Sequence, residues 1–278
     1  TTISGAGNDG GPVFDISGAG ALLGNLLITG ANRDGNSYGG GVYYNATGQT
    51  GDRALYLSNT SVSINRAGYG GGIDVEGYAS PAQLVLEGNT LVLNNYAQNS
   101  GGGIRIAGNV RLFATAAQTW IGLNTAGSDC GGLNVVGPAR ADVGSPGYNG
   151  VGVISRNTAQ FGGGVSVYAG APVGAEMFSV AQARFFTVDP NNPVQISDNT
   201  ATSGGGAFVQ IGSEHDCGAS RCADEADVCL FDARVNDNIA QQGAVTYGAL
   251  SSGTELFYAN QTGNCWPEPP PALGAVAC

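Results

Sequence analysis

Residues 101–106 read GGGIRI, and near copies of this hexapeptide return along the chain. They are GGGVYY from Gly39, GGGIDV from Gly70, CGGLNV from Cys130, GGGVSV from Gly162 and GGGAFV from Gly204, with a degenerate GAVTY from Gly243. The starts at 39, 70, 101, 130, 162 and 204 are spaced by 31, 31, 29, 32 and 42 residues. A recurrence of about 20 to 50 residues marks a solenoid, a propeller or an array.

The content of one unit decides among these. Residues 83–108, QLVLEGNTLVLNNYAQNSGGGIRIAG, hold three apolar runs at 84–86, 90–93 and 103–106, separated by Gly and Asn. Such runs are too short for helices and suit short strands, with the breakers supplying corners that need positive φ. A propeller blade needs four antiparallel strands in about 40 to 45 residues, and a leucine-rich repeat needs a helical arm; neither fits. The reading is an all-β, single-stranded parallel β-helix of about seven to eight coils, three short strands per coil.

Alternation after the glycines places Val42, Ile73, Ile104, Leu133, Val165 and Ala207 in one inward column. Tyr44, Val75, Ile106, Val135, Val167 and Val209 form a second, because side chains on a strand repeat every two residues. The intervening Tyr43, Asp74, Arg105, Asn134, Ser166 and Phe208 are then expected to face solvent. Neighbouring coils lie about 4.8 Å apart, which puts Asp74 beside Arg105 with Glu76 on the diagonal, as an exposed ion pair of about 0–1 kcal/mol.

A second marker precedes the glycines: Asn65, Asn95, Asn124, Asn157, Asn199 and Asn238. Asn tolerates a left-handed corner, and stacked amides can bond as a ladder, so these are read as structural.

The N-T-A-x-x-G-G-G-V/I pattern, with the opening TTISGAG and LLGNLLITGAN, resembles the repeats of bacterial right-handed parallel β-helix surface proteins of the polymorphic outer-membrane and autotransporter-passenger type. The likeness covers roughly residues 1 to 250. It implies a right-handed coil and a secreted or surface-displayed protein, and it implies no catalytic residues, because the matching positions are scaffold.

A repeat array grows as one unit, so a single domain is expected, with coils over 1–253 and a cap over 254–278. The chain has 278 residues, 48 of them Gly, and a net charge of −11 from 21 acidic residues against 10 arginines, with no lysine. That surface repels phosphate backbones and anionic lipid, which disfavours nucleic-acid partners, and no apolar run is long enough to span a bilayer. The start at Thr1 is expected to be that of a mature or trimmed piece whose signal peptide lies outside it.

Cys130, Cys217, Cys222, Cys229, Cys265 and Cys278 make an even count concentrated near the end, which fits disulfides and export. Pairing of Cys217 with Cys222 or Cys229 is expected, and Cys265 and Cys278 are expected to staple the cap beside Trp266. Cys130 replaces the first glycine of its motif and is either a buried small side chain or a partner for a loop cysteine, the second reading slightly favoured. His215 with the loop cysteines lacks zinc-knuckle spacing. Asp216, Asp224 and Asp227 are weak Ca²⁺ candidates without regular spacing; no other cofactor is expected.

Extra residues at 46–53, 77–82, 137–149, 169–193 and 211–228 fall at one phase of the repeat. Insertions at one phase are expected to line one side of the solenoid as its binding face. The candidate binding residues are Tyr43, Arg105, Tyr148, Tyr168, Phe178 and Phe185. The leading functional expectation is a β-helical adhesion module that binds a glycan or a surface protein. The runner-up is a polysaccharide lyase or glycosidase using Asp74, Glu76 and Arg105, since a glycosidase needs two carboxyls about 5–10 Å apart. A fibre or coat segment that self-associates is the third.

Overall fold

The computed structural model describes residues 1–5, 10–46, 53–115, 118–144, 152–169, 180–187, 191–211, 214–216, 221–223, 225–231, 233–242, 246–248 and 254–258. Among them there is no helix: short strands stack coil on coil into a parallel β-solenoid. Sheet A stacks eight strands, from Thr2–Ser4 through Asn89–Leu93 to Arg234–Asn236. Sheet C stacks six, from Arg66–Tyr69 to Ile239–Gln242, and sheet B holds fourteen. The pairing is parallel and in register, as in Val42↔Ile73↔Ile104↔Leu133↔Val165↔Ala207.

These six side chains are buried, as are Tyr44, Val75, Ile106, Val135 and Val167, so both inward columns stand where the alternation places them. One apolar cluster runs from Leu23 to Val235 without a break. Burial of such stacked aliphatic rows is the main favourable term of the fold, at about 25 cal/mol per Å² of apolar surface.

The coil differs from its expected three runs in one respect. Sheet C strands such as Tyr96–Ser100 and Thr158–Phe161 occupy what reads as a corner, because they carry no apolar run. Each points inward a single small residue: Ala97, Ala126 and Ala159 form their own minor cluster. The apolar runs at 84–86 and 103–106 instead belong to two halves of sheet B. Ile73–Glu87 and Ile104–Ala114 pass through both halves, with Gly77 opposite Gly108 at the bend.

That bend also corrects the insertions. The spans 137–149 and 169–193 contain Arg140–Val143 and Val180–Phe186, and 211–228 runs into Glu225–Phe231; these strands pair in sheet B as its second half. These strands belong to the repeat itself, and most of the remaining added length lies outside the described residues. Ala207–Ile211 is followed by a small antiparallel hairpin that sets His215 opposite Cys222.

The asparagines form the expected ladder. Asn95 donates from its backbone N and its Nδ2 to Asn124 Oδ1 at 3.0 and 3.1 Å, and Asn124 does the same to Asn157 Oδ1 at 3.0 and 3.1 Å. The series continues from Asn65 to Asn238. Each Nδ2 also donates to a carbonyl of sheet A, Val92 O for Asn124 at 2.9 Å. The left-handed corner lies one residue earlier than expected, at Ile64, Asn94, Leu123, Arg156, Asp198 and Asp237, with φ between 54° and 58°.

Directly after sheet C come the glycines. Gly101 has φ +71°, while a Cβ on Gly102 or Gly103 would lie 2.6 or 2.8 Å from the carbonyl of Gly131 or Gly132 in the next coil. The first glycine turns the chain and the other two let adjacent backbones touch.

Ile64 is a β-branched residue at φ +57° whose side chain is 67% exposed. The left-handed region costs such a residue about 1–2 kcal/mol with no packing in return. Ile64→Asn is expected to stabilise the protein by about 1 kcal/mol in denaturant unfolding. An unchanged or lower midpoint would count against the strained corner.

Candidate functional site

The residue before each glycine triplet forms a column of its own: Tyr38, Tyr69, Ser100, Asp129, Phe161 and Ser203, with Tyr38 bridged to Tyr69, Asp129 to Phe161 and Phe161 paired with Ser203. The triplet then turns back on itself. A Cβ on Gly70 would lie 2.6 Å from Asp74 Cβ, and one on Gly101 2.8 Å from Arg105 Cβ. The outward column of sheet B is thereby tucked into the angle between sheets B and C. Asp74 is 0% exposed, Arg105 8%, Asn134 3% and Ser166 3%, so at these four positions the expectation that the column faces solvent is wrong.

Asp74 and Arg105 are therefore not an exposed ion pair. Arg105 Nη1 donates to both Asp74 carboxyl oxygens at 3.0 Å and to Glu76 Oε1 at 3.1 Å. Its Nη2 donates to Tyr78 Oη over a longer 3.4 Å. The guanidinium lies 5.3 Å from the Tyr69 ring centroid and 5.6 Å from that of Tyr38, and these two rings stack at 5.3 Å. Tyr43 Oη donates to Glu76 Oε2 at 2.9 Å and accepts from Asn45 Nδ2 at 3.1 Å. One cation thus serves two carboxylates inside a ring of tyrosines.

Burial pushes the Asp74 carboxyl up to about 6, although Arg105 pulls it the other way. Burial opposes charge on Arg105 too, but Asp74 more than offsets it and holds the guanidinium above its ordinary value. The Tyr43 phenol is raised by burial and by its bond to Glu76.

Beyond Arg105 the angle opens into a cavity of about 360 Å³ lined by Tyr69, Ser100, Arg105, Asp129, Asn134, Val136, Ser166 and Tyr168. It spans neighbouring coils: Arg105, Asn134 and Ser166 are successive register partners, as are Val136 and Tyr168. Ser100 Oγ donates to Asp129 Oδ2 at 3.2 Å. Asn134 Oδ1 is buried without a hydrogen-bond partner among the described residues.

Of the binding residues expected from sequence, Arg105 and Tyr168 line this cavity, and Tyr43 backs it through Glu76. Phe185 does not belong to it. Its alternation turns it inward, and it is 0% exposed in the core. Tyr148 and Phe178 lie outside the described residues. Tyr69, Ser100 and Asp129 escaped the sequence reading, though each directly precedes, or in Asp129 directly precedes the variant form of, the glycine triplet.

Cys130 is a free, fully buried thiol at φ +56°, with Sγ 3.6 Å from Gly164 O, so it is the small buried side chain and not a loop partner. Burial pushes this thiol well up. Cys217, Cys265 and Cys278 lie outside the described residues, as does Asp224; of the expected cap only Thr254–Tyr258 is described, and it continues sheet B by pairing in parallel with Glu225–Phe231. Asp216 and Asp227 sit on strands. Among the described residues no three His, Cys, Asp or Glu side chains gather as a metal site.

No protein-family model, curated protein or solved structure matches the chain.

A carboxyl whose folded pKa lies above its unfolded value binds its proton more tightly in the native state. Its contribution to stability is greatest below about 4 and is lost as pH rises through about 6. The carboxyl carbon of Asp74, followed by NMR, is expected to titrate near 6. A midpoint near 4 would show that Arg105 outweighs burial.

Proposed function

We propose that the protein is an extracellular or surface-displayed binding module that holds a glycan in the angle between sheets B and C. The observation carrying this is the cavity of about 360 Å³, where two tyrosines and several short polar side chains from neighbouring coils come together. Sugars present apolar C–H faces and a rim of hydroxyls. Tyr168 and Tyr69 offer aromatic surface to the first, and Ser100, Asp129, Asn134 and Ser166 offer hydrogen-bonding groups to the second. The volume falls in the range of small-molecule sites.

The export setting is supported by the cysteine-rich end and by the resemblance of the repeats to bacterial surface β-helices. Recognition is assigned to the groove and not to the insertions, since removing 137–149 or 169–193 would also remove strands of sheet B. A lyase or hydrolase reading is less favoured by this geometry. Asp74 has no exposed surface, and Glu76 is held by Arg105 and Tyr43.

Binding to immobilised neutral, amino and acidic oligosaccharides tests the proposal. Tyr168→Ala is expected to weaken the interaction roughly tenfold at an unchanged melting temperature, a loss of about 1.4 kcal/mol. Wild-type affinity in that variant would remove the groove from the binding surface.

A further inference from the structure

We infer that the groove selects a glycan bearing free amines, with an ammonium group seated against Asp129 and Asn134. This rests on the groove being a glycan site and names the class of sugar.

The first ground is local charge. Among the described residues Arg105 is the only cation lining the cavity, and its hydrogen bonds to Asp74 and Glu76 leave that trio with an excess carboxylate when Asp74 is ionised, a partial one near pH 6 where Asp74 titrates. Asp129 adds another negative charge at the cavity wall. Across the whole chain the net charge is −11, so the long-range field also draws cations and repels uronates.

The second ground is an unmet acceptor. Asn134 lines the cavity at 3% exposure, and its Oδ1 is buried without a partner among the described residues. A buried acceptor left unpaired costs about 1–3 kcal/mol, which a ligand donor recovers when the Asn134 amide turns toward the cavity. An ammonium brings three donors and accepts none, so it suits an amide oxygen beside a carboxylate better than a hydroxyl does.

The third ground is the aromatic wall. Tyr69 already faces one cation, Arg105, at 5.3 Å, which leaves the Tyr168 side of the cavity for a second. A cation over such a face gains about 0.5–2 kcal/mol.

The test is titration calorimetry of the full chain at about pH 6, where a sugar amine carries its proton. The probes are a β-1,4-linked glucosamine hexamer, its fully N-acetylated form and a galacturonate hexamer. The glucosamine hexamer is expected to bind at least tenfold more tightly than the N-acetylated one, with the galacturonate weakest. Asp129→Asn, which keeps the side-chain shape, is expected to erase the preference. Equal affinity for the amino and N-acetylated hexamers overturns the amine selection and leaves glycan binding standing. Binding of none of the three overturns both. A preference that survives Asp129→Asn overturns the seat assigned to the ammonium.

Discussion

The structure depends on how closely one coil can lie against the next at the corner between sheets C and B. Glycines at 102 and 103 let carbonyls of the following coil occupy the space a Cβ would take. The asparagine ladder closes the same corner from inside, each amide receiving two donors from the coil before it and giving its own to sheet A and to the coil beyond. Buried polar groups are tolerated only when paired, and here pairing requires the coils to stay in register. Because a shift of one residue would leave each amide facing a backbone with no matching group, the ladder fixes the stacking that the apolar columns only favour.

The same corner makes the candidate site. Turning sharply after sheet C, the chain brings the residue before each triplet towards the residue four positions after its first glycine. Tyr69, Ser100 and Asp129 thus meet Arg105, Asn134 and Ser166 across a narrow angle. Near the start of the chain tyrosines and the Arg105 trio fill that angle. Farther along, the smaller Asn134 and Ser166 leave it open. A buried trio of this kind is weak evidence of stability in itself, since desolvation offsets much of the Coulomb gain, but it holds the rings and carboxylates that border the cavity in fixed positions.

The solenoid was legible because its period is carried by glycine and asparagine, residues whose backbone roles are few. Inward columns followed from alternation alone. What alternation misjudged was the outward column: it gives the side of the sheet a side chain leaves from, and not whether a neighbouring sheet folds over it. Sheet C was hidden because its interior has room only for Ala97, Ala126 and Ala159, which leave no apolar run. Phe185 was misplaced because the span holding it read as an insertion when it is a strand of sheet B. The tyrosine and aspartate of the cavity wall were visible in the repeat alignment, as the residue preceding each triplet, once that position is read as a column.

The most direct measurement of the central claim is denaturant unfolding of Asn124→Ala. Losing this side chain leaves the Asn95 backbone N–H and the Val92 carbonyl without their amide partners, and it breaks the ladder in its middle. The account predicts a loss of about 3 kcal/mol or more, at about 1–3 kcal/mol for each buried group left unpaired. A loss under about 0.5 kcal/mol, the range of an ordinary surface substitution, would contradict it.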